Sequence, residues 1–175
     1  MTDMPEMGGM TSNDELVPFF TFEDIDYALE NGEFCCYLQP KCNAETGAIV
    51  GAEALVRWNH PKYGVIPPGW FVPVLERAGR ICHVDMFVWR FVAEMLGRWE
   101  REGRNLVPVS VNVSMMDIDQ MDVGDVIGGL LDEYDVDARL LRVEITESAM
   151  AKNLSMVKNT IRKLHARGIV VLMDD

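Results

Sequence analysis

Histidine, cysteine and positive charge are all in short supply in this sequence. The three histidines, His60, His83 and His165, are too scattered for metal-ligand spacing, so surface or packing roles are expected of them. The four cysteines contain no CxxC pair: Cys35 and Cys36 are adjacent, and Cys42 and Cys82 stand apart. That argues against a zinc module or a disulfide framework and reads as buried free thiols. Dinucleotide GxGxxG and phosphate-loop patterns are missing. No apolar run approaches the roughly 20 residues a membrane span needs. The opening stretch MTDMPEMGGMTSNDELVP has no basic region followed by an apolar one, so a cytoplasmic chain is expected. Sixteen Lys and Arg face 28 Asp and Glu, a formal net charge of -12. Such a surface repels phosphate backbones, which argues against nonspecific binding to nucleic acid polymers or anionic membranes. A small phosphate ligand stays compatible, because clustered carboxylates can hold divalent cations that bridge to it.

What the sequence does contain is core and alternation. Its 175 residues are 49% hydrophobic, enough for one domain. Residues 1–18 read as a flexible leader, rich in Met, Gly, Asp and Ser without periodicity. Thr21 with Asp24 predicts a capped helix that stops at Asn31-Gly32. FCCYLQP and AIVGAEALVRW, separated by NAETG, predict a hairpin, and NHPKYGVIPPG predicts a loop. WFVPVLERAGR and VDMFVWRFVAEMLGRWEREG have helical periodicity, the second ending at Gly103. Then strand and helix alternate: VPVSVNVS, a weaker helix MDVGDVIGGLLDEYD with three glycines, LLRVEITES, the helix NLSMVKNTIRKLHARG, and IVVLMDD. Short connections between them predict parallel βαβ units, which an open doubly wound sheet and a (β/α)₈ barrel satisfy equally.

Within these strands the polar residues share a face. Side chains alternate with period two, so Glu53 stands in line with Leu55 and Arg57, opposite Ala52, Ala54, Val56 and Trp58. Val107, Val109, Val111 and Val113 oppose Ser110, Asn112 and Ser114; Leu141, Val143 and Ile145 oppose Arg142, Glu144 and Thr146. The last strand finishes on Asp174 and Asp175. Glu53, Asn112, Glu144, Asp174 and Asp175 therefore bring hard oxygen ligands to one rim, a set suited to Mg²⁺, Mn²⁺ or Ca²⁺. Two such cations can neutralise a phosphodiester, lower the pKa of a shared water and stabilise the leaving oxygen. Trp70, Phe71, Trp89, Phe91 and Trp99 read as core; Phe71, beside the GVIPPG loop, is the one most open to a base-stacking role.

The tripeptide Glu53-Ala54-Leu55, followed by Arg57-Trp58, occurs with YLQPKCNAETGAIVGAEALVRW, GVIPPGWFVPVLERAGRI, GRWEREG, VSVNVS, VEITES and LMDD, in that order. In these segments residues 21–175 resemble the EAL domain family of bacterial signalling phosphodiesterases. The resemblance implies a (β/α)₈ TIM-type barrel with an antiparallel first strand, and two Mg²⁺ or Mn²⁺ ions, with Ca²⁺ inhibitory. It implies metal-dependent hydrolysis of cyclic di-GMP to linear pGpG. By the same resemblance Glu53, Asn112, Glu144 and Asp174 look like metal ligands, and Asp175 reaches the second metal. Glu147 looks like the glutamate that holds the metal-side loop, completing the catalytic set Glu53, Glu144, Asp174, Asp175 and Glu147. Gln39, Leu55 and Arg57 match positions that meet the dinucleotide. Every matching position keeps the family residue type. A barrel of this kind needs about 250 residues and eight strands, whereas about five strands are read here. Residues 19–175 are thus expected to be an incomplete EAL domain, a partial barrel with little or no turnover by itself. The alternatives are a degenerate EAL domain that senses cyclic di-GMP, or a module that pairs through its sheet edge; a homodimer or a sensory domain of the parent protein is the expected partner.

Overall fold

Thr21 opens the first helix of the computed structural model, which describes residues 20–146 and 153–174. The expected leader, Glu147 and Asp175 lie outside the described residues, as does the side chain of Asp174. Helix α1 (Phe22–Glu30) starts with the expected reciprocal cap: Thr21 Oγ1 accepts from the Asp24 backbone at 3.3 Å, and Asp24 Oδ2 accepts from the Thr21 backbone at 2.8 Å. Ile25 and Ala28 form its buried stripe.

The hairpin is β1 (Phe34–Cys42) with antiparallel β2 (Ile49–His60), registered from Phe34 opposite Trp58 to Gln39 opposite Glu53 and Lys41 opposite Gly51. Asn43 Oδ1 closes its turn by accepting from the backbones of Glu45 and Thr46. The following stretch corrects the loop reading. His60 Nδ1 accepts from the Lys62 backbone at 3.0 Å, the chain reverses, and β3 (Gly64–Ile66) pairs antiparallel with the end of β2. Then come a 3₁₀ turn at Pro68–Trp70, α2 (Val72–Ala78) and α3 (Ile81–Arg101).

Strand β4 (Val109–Val113) is shorter than the stretch VPVSVNVS suggested, because Ser114 leaves the sheet to cap a helix absent from the sequence reading. Ser114 and Asp117 form a second reciprocal cap on α4 (Met115–Gln120). After it run α5 (Val123–Tyr134), a 3₁₀ turn at Ala138–Leu140, β5 (Leu141–Thr146), α6 (Leu154–Ala166) and β6 (Val170–Asp174).

The sheet has six strands rather than five, ordered β1-β2-β4-β5-β6 with β3 on β2; β2, β4, β5 and β6 are parallel. A doubly wound sheet would reverse its order at a switch point. Here each parallel strand joins the edge left by its predecessor, the pattern of a barrel under construction, and among the described residues the sheet stays open. The main core explains which face turns inward. Ala52 and Ala54, the three valines of β4, and Leu141, Val143 and Ile145 pack with Trp89, Val92 and Leu96 of α3, Ile127 and Leu131 of α5, and Val157 and Leu164 of α6. At about 1.5–3 kcal/mol per fully buried large aliphatic side chain, this fixes the apolar rows against the helices and leaves the other rows free.

Two features bear on stability. Where α3 crosses the end of α5, a Cβ on Gly97 would lie 2.3 Å from the Tyr134 carbonyl oxygen, and one on Gly124 would lie 2.8 Å from Lys163 Cβ of α6. The glycines that weaken α5 as a helix thus permit close packing. The second is a carboxyl pair below α4. Asp117 is fully buried; its Oδ2 accepts from Ser114, while Oδ1 has no hydrogen-bond donor among the described residues. Asp85 of α3 faces it, and burial, then the charges of Asp117 and Glu76, hold the Asp85 carboxyl well above its ordinary value of 3.8. A proton on Asp85 would give Asp117 Oδ1 a donor. All four cysteines are free, but only Cys82 is buried; Cys42 is exposed, against the expectation of buried thiols throughout. Burial pushes the Cys36 and Cys82 thiols up to about 12, which disfavours the thiolate form of both.

Gly97→Ala should lower unfolding free energy by about 1–3 kcal/mol in urea titrations, since a backbone carbonyl must move to admit the methyl group. For Asp85, the folded chain holds its proton more tightly than the unfolded chain does. Its contribution is therefore fully present below 3.8 and is lost as pH rises through the raised value. Asp85→Asn supplies a permanent donor, so urea titrations across pH should show the variant without the stability loss that wild type undergoes as pH rises from 3.8 through the raised value.

Candidate functional site

The polar rows excluded from the helix-covered face converge where β1, β2, β4 and β5 lie side by side. In register, Gln39 of β1 faces Glu53 of β2, Glu53 faces Ser110 of β4, and Asn112 faces Glu144 of β5. Ser110 spends its hydroxyl on the Ala52 carbonyl oxygen at 3.1 Å. Asn112, two residues further along β4, donates from Nδ2 to Glu53 Oε1 at 3.1 Å, which leaves its amide oxygen outside this contact. Its backbone carbonyl accepts from Trp89 Nε1 at 3.0 Å, so the largest buried ring of α3 fixes the strand at this point.

Glu144 is only 3% exposed, and a carboxylate so enclosed needs a counter-charge. Lys41 supplies it. Its Nζ contacts Glu144 Oε1 and lies 3.9 Å from Glu53 Oε2, so one ammonium ion stands between two carboxylates from neighbouring parts of the sheet. Sequence reasoning missed Lys41. Its signal was its place in the row of Tyr37 and Gln39, but only the hairpin register carries that row to Glu53 and Glu144.

The remaining expected residues divide. Leu55 and Arg57 continue the Glu53 row along β2, half-buried, and Arg57 lies 5.6 Å from the Tyr37 ring centre while donating to the Val56 carbonyl at 2.8 Å. Asp174 stands opposite Thr146 at the end of β6, one strand beyond Glu144. Phe71 goes elsewhere: it is fully buried, edge-on to Phe34 and Trp58 at 5.3 and 6.1 Å, and Trp58 belongs to the opposite row of β2 from Glu53. A ring enclosed there presents no face to a ligand at this rim. Likewise His60 packs among Phe20, Trp58 and Tyr63, as expected of a packing histidine. A groove of about 510 Å³ between α1 and α3, lined by Asp26, Leu29, Arg80, His83 and Phe87 among others, contains none of these rim residues.

Among the described residues no three His, Cys, Asp or Glu side chains gather as a metal site. What gathers is two carboxylates and an amide, all hard oxygen ligands, already stabilising one positive charge. That donor set fits a hard divalent cation. Arg142, two residues before Glu144 in the same row, has a buried Nε without a hydrogen-bond acceptor among the described residues.

Residues 23–175 match the family model for the EAL domain. The chain is 32% identical over 155 residues to the cyclic di-GMP phosphodiesterase RocR of Pseudomonas aeruginosa, covering 87% of this chain and 38% of RocR. It is 32% identical over 151 residues to an uncharacterized protein of Synechocystis sp., covering 86% of this chain and 22% of that protein. Among solved structures, the MucR phosphodiesterase in complex with c-di-GMP superposes with a TM-score of 0.82 at 28% identity, covering 88% of this chain and 62% of that one. The chain thus spans between about a fifth and two fifths of those curated relatives. Its singly wound sheet, its antiparallel first strand and the matched residues agree: this chain belongs to the EAL domain family.

Proposed function

We propose that the protein bearing this domain hydrolyses cyclic di-GMP to linear pGpG with Mg²⁺ or Mn²⁺. The convergence of Glu53, Asn112 and Glu144 around a positive charge carries this reading. The names of RocR and of the MucR complex support the substrate. A phosphodiester resists attack because it and hydroxide are both anionic, and cations held here would supply charge neutralisation and an acidified water.

This chain's own residues divide the work. Glu53, Asn112 and Glu144 would hold the cations, with Asp174 and Asp175 from the last strand completing the ligand set. Glu147 would brace the adjoining loop. Gln39 lies opposite Glu53, and Leu55 and Arg57 extend the same row, so the three form a strip on which a dinucleotide can be oriented. Arg57 provides a planar fork that matches two phosphate oxygens or a guanine edge. Trp89, through the Asn112 carbonyl, holds β4 in position. No described helix is long and apolar enough to cross a membrane. Because these residues span 62% of the matched MucR chain, binding is the property assigned to the 175 residues and turnover to the whole protein.

Chromatography of nucleotide products from the whole protein should show pGpG with Mg²⁺ or Mn²⁺ and none after chelation. Glu53→Gln should cut kcat by about 100-fold or more, and Arg57→Ala should weaken cyclic di-GMP binding by about tenfold or more through loss of a charged hydrogen bond. Tight binding by wild type without any pGpG in either metal would replace the hydrolase with a sensor.

A further inference from the structure

Lys41 has no part in the proposed hydrolysis, yet it occupies the centre of the ligand set. Its ammonium contacts Glu144 Oε1 and approaches Glu53 Oε2 to 3.9 Å, while Glu53 is also fixed by Asn112 at 3.1 Å. The three ligand residues are therefore drawn together with a side chain of the protein itself as their cation. The Glu144 side chain is 4% exposed, so its carboxylate has almost no bulk water to balance its charge, while that of Glu53 is 22% exposed and only partly solvated. A divalent cation held between the two carboxylates would lie beside the ammonium that Glu144 Oε1 and Glu53 Oε2 now face, and two positive centres repel across so small a gap. The Lys41 side chain is 39% exposed, and lysine carries its point charge on a flexible four-carbon stem, so it can withdraw. Lys41 is held to β1 only one pair from the register shift at Cys42, beyond Gln39 in the same row.

We propose that Lys41 is an exchangeable counter-cation: it holds Glu53 and Glu144 in place before metal arrives and is displaced when a divalent cation binds, so that it sets the metal affinity of the site. It is a positioning residue that acts through these two carboxylates. The inference rests on Glu53, Asn112 and Glu144 being cation ligands.

The test measures Mn²⁺ affinity by titration calorimetry on the whole protein without substrate, and thermal unfolding in EDTA and in saturating Mn²⁺. Lys41→Met should bind Mn²⁺ more tightly by about 5- to 150-fold, the usual size of a coupling between two sites. It should also unfold several degrees below wild type in EDTA, since Glu144 is left enclosed and unpaired, and Mn²⁺ should restore the difference. Lys41→Arg, whose fork binds carboxylates in two-point fashion, should keep the EDTA melting temperature and bind Mn²⁺ less tightly than wild type. If Lys41→Met does not purify folded, Lys41→Gln carries the same affinity expectation. Mn²⁺ affinity within about twofold of wild type for these neutral variants overturns the inference and leaves the hydrolase reading standing. Failure of wild type and variants alike to bind Mn²⁺ overturns the ligand assignment, and this inference with it.

Discussion

One face of the sheet is sealed by helices, and everything functional follows from that. Consecutive β/α units place α3, α5 and α6 against the same apolar rows of β2, β4 and β5. Since strand side chains alternate, each residue between two core residues must emerge on the opposite face. Glu53, Asn112 and Glu144 are such residues. They meet because the three strands are adjacent and parallel, with Asn112 and Glu144 directly paired. The core that stabilises the domain is thus also the device that aims its polar groups.

Charge at this rim is managed locally. Enclosing Glu144 would be costly without a counter-ion, and Lys41 provides one from the antiparallel first strand. That strand is more than an edge: it brings Gln39 against Glu53 and Lys41 to the two carboxylates. Asp85 and Asp117 make a second carboxyl pair, in which burial and then the charge of Asp117 hold the Asp85 carboxyl well above its ordinary value. Asp117 caps α4, which follows directly from β4, so this carboxyl pair and the strand that bears Asn112 share one local structure.

Part of this was readable before any coordinates. The caps at Thr21 and Asp24, the hairpin, and the alternation of valines with Ser110 and Asn112 are local features, fixed within a few residues by backbone geometry and burial. The stretch Gly64–Ile66 was not readable as a strand, because three residues after a Pro-rich turn carry no period; pairing with β2 makes them one. Helix α4 escaped because Ser114 fits the strand pattern and the cap pattern equally well. Phe71 was open to a base-stacking role because of its loop neighbour, and is packed against Phe34 and Trp58, residues distant in sequence.

The sequence by itself determined which side chains share a face of each strand, where helices α1 and α3 stop, and that acids and an amide lie on the rows opposite the apolar ones. Period and capping are local, so they survive without a partner. Tertiary structure alone decided that the sheet winds in one direction, that Gly97 lies under the Tyr134 carbonyl, and that Lys41 comes between Glu53 and Glu144. Those outcomes depend on register and packing between segments far apart in the chain. A shift of a single residue in the hairpin would turn Lys41 to the other face.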